Sequence, residues 1–68
     1  MEMVIASNEP VRLSFLMAVL RDAGLQPVLY DMNMSVLEGS AGAILRRIMV
    51  PSHQADQARR VLREAGEL

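Results

Sequence analysis

Pro27 interrupts the run Leu25-Gln-Pro-Val-Leu-Tyr30, which otherwise reads as a β-strand. Proline has no N–H to donate to a neighbouring strand, so a strand holding it belongs at a sheet edge. The run Ala43-Ile-Leu-Arg-Arg-Ile-Met-Val50 is apolar at both ends and on both faces before Pro51 stops it, the pattern of a central strand. A third short run, Met3-Val-Ile-Ala6, has a β-branched centre and ends at Ser7 and Asn8.

Two helices separate these runs. Asn8 or Glu9 can cap the first, Pro10 suits its first turn, and Gly24 supplies the left-handed residue that ends it. Val11, Phe15, Leu16, Val19, Leu20 and Ala23 recur at steps that predict its buried stripe. Ser52 is the expected cap of the second helix, whose stripe is Ala55, Ala58, Val61, Leu62 and Ala65, with Arg59, Arg60 and Arg63 facing water and Gly66 closing it.

The element order is therefore βαββα. A right-handed crossover makes the first two strands parallel and lets the third return antiparallel between them, in spatial order 1-3-2. This is the split βαβ unit of α+β ferredoxin-like domains, truncated by its last strand, with a three-stranded sheet and two helices on one face. The other face holds one of the sets Val4/Ala6 or Met3/Ile5 and one of Leu45/Met49 or Ile44/Ile48. A bare face and an unpaired first-strand edge predict self-association, most simply a twofold homodimer through either.

Size and composition support the same expectation. A 68-residue chain forms a single domain spanning 1–68, and one of about 60 residues buries only roughly 60% of its unfolded surface. With no cysteine and a single histidine, His53, it has no disulfide and no zinc site of the Cys/His type to add stability. Seven basic residues, all arginine, against eight acidic ones leave a formal charge of −1, which offers no field for nucleic acid or an anionic membrane. No membrane span or leader is legible, so a cytoplasmic location is expected.

The segment Asp31 to Gly42 is far too long for a tight hairpin, and loops of that length tend to be functional, disordered or packed on their own side chains, of which Met34, Val36 and Leu37 make disorder the least expected. The candidate ligand- or partner-binding residues are Asp31, Asn33, Met34, Ser35, Glu38, Gly39, Ser40 and Gly42, together with Arg46 and Arg47 at the loop's far side. Backbone N–H groups around the glycines and a guanidinium could hold a small anion. The alternative is that Met34, Val36 and Leu37 simply fold under as a lid. Arg46 and Arg47 are adjacent in a strand and cannot both serve one site.

No catalytic set is apparent, and no cofactor is expected. His53 and Asp56 are three residues apart, and Asp31 and Glu38 could approach across the loop; an enzyme using Asp31, Glu38 or His53 in acid–base chemistry is the competing reading. A third is a structural subunit that lends its sheet face to a partner.

Ser7-Asn-Glu-Pro-Val11, Ala23-Gly-Leu25, the loop Met34-Ser-Val-Leu-Glu-Gly-Ser-Ala-Gly42, Arg46-Arg-Ile-Met-Val50 and Ala58-Arg-Arg-Val-Leu-Arg-Glu-Ala-Gly66 together resemble a family of small bacterial proteins. That family is domain of unknown function 2007, labelled a putative prokaryotic signal-transducing protein. The resemblance covers nearly the whole chain. It implies a compact α+β fold similar to ferredoxin-like or nitrogen-regulatory signalling proteins, in a bacterium, without a known enzyme activity. It brings no established functional residues. The expected role is a non-enzymatic regulatory module that binds a small ligand or partner protein through the 31–42 loop.

Overall fold

The computed structural model describes residues 1–32 and 45–68. Strand β1 (Glu2–Ser7) leads into helix α1 (Pro10–Asp22), followed by β2 (Val28–Met32), β3 (Leu45–Val50), a 3-10 turn at Ser52–Gln54 and helix α2 (Ala55–Glu64). β3 lies between β1 and β2 and runs antiparallel to both, in order β1-β3-β2. This is the expected truncated ferredoxin-like α+β arrangement. Pro27 sits one residue before β2 and is buried, so the edge strand starts where the ladder can be donated to.

The core is one cluster. Ile48 and Val50 of β3 meet Val4 and Ile5 of β1, Leu13, Leu16, Met17 and Leu20 of α1, and Ala55, Ala58 and Leu62 of α2. The two alanines on α2 let its backbone come close to its neighbours, and α1 packs chiefly on α2 and β1.

The buried stripe of α1 differs from the expected one. Leu13 and Met17 join Leu16 and Leu20, whereas Val11 is 84% and Phe15 50% exposed, and Ala23 is exposed beyond the helix end. Val11 through Leu20 is apolar almost all round, interrupted by Arg12 and Ser14, so local pattern does not select a face. In α2 the stripe holds at Ala55, Ala58 and Leu62 with Val61 packed beside them, but Ala65 is exposed. Arg59 does not simply face water. It is half-buried and reaches β1, where Nη2 donates to Glu2 Oε2 at 3.1 Å and to the Met3 carbonyl at 3.4 Å.

Neither alternating set on β1 survives intact, because a bulge falls between Met3 and Ile5: Met3 pairs with Met49 and Ile5 with Ile48. The extra residue lets both Val4 and Ile5 turn inward. The bulge and Arg59 also blunt the β1 edge, two devices that discourage further strand pairing.

The helix ends follow from specific bonds. Glu9 occupies the cap position of α1 without a side-chain cap bond; instead the Ser7 hydroxyl, on a buried residue, accepts the Glu9 N–H at 3.1 Å. At the other end Gly24 has φ +85°, and the Leu25 N–H reaches back to the Leu20 carbonyl at 3.1 Å. Gly66, at φ +79°, ends α2 in the same way, through Glu67 N–H to Leu62 O at 2.9 Å. Ser52 makes no capping bond; it opens the 3-10 turn that leads into α2. Gln54 Oε1 instead accepts the Gln26 N–H at 2.9 Å, tying the start of α2 to the approach of β2.

Candidate functional site

Two surfaces of the sheet carry chemistry, and the strand register assigns one of the paired arginines to each. Arg46 stands on the side of Ile48 that the helices cover, and its register partners are Ser7 and Asp31. Arg47 pairs with Ala6 and Tyr30 on the open side. The expectation that the two arginines cannot share a site follows directly.

On the covered side, α1 leans toward α2 and β1 and leaves β2 without a helix over it. The gap is a cleft of about 510 Å³ lined by Pro10, Leu13, Ser14, Met17, Arg21, Pro27, Val28, Leu29 and Arg46. Pro10 and Arg21 both line it, so it runs about 16 Å along α1 at ~1.5 Å rise per residue. Among the described residues its lining brings two guanidinium groups, of Arg21 and Arg46, to apolar side chains.

On the open side, the row Ala6–Arg47–Tyr30 is flanked by the row Met3–Met49–Val28 and by Leu45. Met3, Tyr30 and Leu45 are 48%, 45% and 40% exposed. Arg47 is half-buried, and its Nε has no hydrogen-bond partner among the described residues.

Of the residues expected at a binding site, Arg46 and Arg47 stand on opposite faces, and Asp31 lies in β2 across the ladder from Arg46. Asn33, Met34, Ser35, Glu38, Gly39, Ser40 and Gly42 lie outside the described residues, as do Val36 and Leu37. The chain leaves β2 at Met32 and rejoins at Leu45, one residue before Arg46, so the loop's two anchors stand at the Arg46 end of the cleft. His53 is exposed in the 3-10 turn, and Asp56 lies 3.8 Å from Arg59 Nη1; no hydrogen bond joins this histidine and aspartate among the described residues. The described residues also hold no group of three or more potential metal-ligating side chains, and none of their helices is long and apolar enough to cross a membrane.

Leu13, Ser14, Met17, Arg21, Pro27 and Leu29 were not foreseen as site residues. The available signal was the i, i+4 pair Leu13/Met17 followed by Arg21 at the same step, one ridge of α1 ending in a cation.

No curated protein and no solved structure gives a significant match to the chain. The family model for domain of unknown function 2007, described as "Putative prokaryotic signal transducing protein", matches residues 1–66, and with nearly the whole chain covered and the βαββα fold in place the protein belongs to that family.

Proposed function

We propose that this protein is a non-enzymatic regulatory module that binds a small anionic ligand with an apolar body in the cleft between α1 and β2, and relays its presence through the 31–42 loop to a partner protein. The family description, which concerns signal transduction, supports the general role. The cleft carries the specific reading: apolar walls from Leu13, Met17 and Leu29 suit a hydrocarbon or ring, and Arg21 and Arg46 suit a carboxylate or phosphate. The position of the loop's anchors, Met32 and Leu45, next to Arg46 in the ladder supports a role for the loop in that response.

The test is a titration of isotopically labelled protein with a panel of amphipathic carboxylates and phosphomonoesters, followed by amide chemical shifts. Binding should move Leu13, Met17, Arg21, Leu29 and Arg46, and Arg21→Ala or Arg46→Ala should weaken it about tenfold, the loss of roughly one charge-assisted contact. Absence of binding at millimolar concentration across the panel, or shifts confined to the open side of the sheet, would refute the reading.

A further inference from the structure

We infer that copies of this chain associate head to tail, the first turns of α1 on one copy seating on the open sheet face of the next. The inference does not rest on the ligand reading, since Arg47, Glu9, Val11 and Phe15, which carry it, do not line the cleft. It rests on two apolar patches of complementary charge that one chain cannot bring together.

The first patch is the open face, where Arg47 stands in the central row with Ala6 and Tyr30 to either side and Met3, Met49, Val28 and Leu45 around it. Among the described residues this face has a cation and no acid. The second patch is a shallow depression of about 590 Å³ at the start of α1, lined by Asn8, Glu9, Pro10, Val11, Arg12 and Phe15. Val11 and Phe15 are one helical turn apart and form an exposed apolar ridge. The charge of Arg12 is already matched, its Nε lying 3.0 Å from Glu67 Oε1, while Glu9 makes no ion pair among the described residues. The patch therefore offers an acid beside its apolar ridge.

These features select the arrangement. The helices cover one side of the sheet and the Arg47 row is on the other, so contact between the patches has to be between copies. A twofold stack of two open faces would set one Arg47 guanidinium toward the other, an uncompensated repulsion in a partly dry interface. Seating α1 instead gives Arg47 a carboxylate from Glu9, and the small Ala6 leaves room beside it for Phe15. The contact is heterologous, so it propagates into a ring or an open chain rather than stopping at a symmetric pair. Two turns of helix on three short strands bury less than the ~800 Å² per partner of a standard stable interface, so the association is a weak one, in the micromolar range or above.

Sedimentation velocity from about 10 µM to about 1 mM, the range suited to a weak contact, reads it out for the wild type, Arg47→Glu, Phe15→Asp and the double variant Glu9→Arg/Arg47→Glu, with circular dichroism to verify folding. Val11→Asp serves for the ridge if Phe15→Asp is unfolded. The wild-type mass should rise with concentration. Either single variant should weaken association about tenfold or more, and the charge-swapped double variant should recover it. An equimolar mixture of Phe15→Asp with Arg47→Glu should form a species of two chains and stop there, because only one intact face and one intact ridge remain. A wild type that stays monomeric, single variants that associate normally, a double variant that does not recover, or a mixture that stays apart would each overturn the proposal.

Discussion

Ile48 and Met49 are sequence neighbours on the central strand, and replacing each by alanine separates the two sides of the sheet energetically. Ile48 is fully buried beneath both helices, whereas Met49 points to the open face and is half-buried. Truncating a fully buried isoleucine removes its transfer free energy and leaves a cavity, at a cost of about 2–5 kcal/mol. Whole-domain stability at roughly 0.05–0.15 kcal/mol per residue comes to about 3–10 kcal/mol for this chain. Ile48→Ala therefore removes a large part of it, while Ile48→Val should cost only about 1 kcal/mol. Met49→Ala, which leaves no enclosed cavity, should cost less than about 1 kcal/mol. With a urea m-value near the low end for small proteins, about 1 kcal/mol/M, Ile48→Ala should lower the unfolding midpoint by roughly 2–5 M or leave the chain unfolded in buffer, and Met49→Ala by less than about 1 M. Urea titration at low protein concentration, followed by helical circular dichroism, reads both. Equal losses, or a larger loss for Met49→Ala, would refute the assignment of covered and open faces.

Three smaller predictions follow from the bonds at the ends of elements. Gly24→Ala forces a side chain onto a residue at φ +85° with open space around it, so the cost is conformational, about 1–2 kcal/mol, and should appear as a lowered melting temperature. Ser7→Ala removes the acceptor for the Glu9 N–H and should cost about 1 kcal/mol in the same assay. Glu67→Gln breaks the ion pair that ties the C-terminal end to Arg12; the pair is partly solvated, so the loss should be about 0.5 kcal/mol or less and should vanish in molar salt.

The parts legible in the sequence were those with a single local cause. Gly24 and Gly66 mark helix ends because left-handed backbone favours glycine, and Pro27 marks the edge because it cannot donate. The apolar stretch ending at Val50 announced the middle strand. The face of α1 was not legible: with apolar residues nearly all round, the choice of Leu13 and Met17 over Val11 and Phe15 is made by where α2 and β1 lie. The bulge at β1 has no marker in Met3-Val-Ile-Ala6, since any of these residues is acceptable in or out of register. The cleft was hidden for the same reason, because it exists only as the gap that α1's lean leaves over β2. Arg46 and Arg47 were legible as a pair that must split, but which of them faces the helices depends on the register with β1 and β2.

Among the described residues one face of the sheet has no helix over it, and the central proposal is that copies of the chain cover that face when they meet. Methyl-labelled protein with a soluble paramagnetic probe measures this directly. In dilute solution the Met3, Met49 and Leu45 methyls should relax strongly and the Ile48 and Val50 methyls should not, and on concentrating the protein the first group should become protected together with Val11. Protection of Met3, Met49 and Leu45 at every dilution, or strong relaxation of Ile48 and Val50, would contradict it.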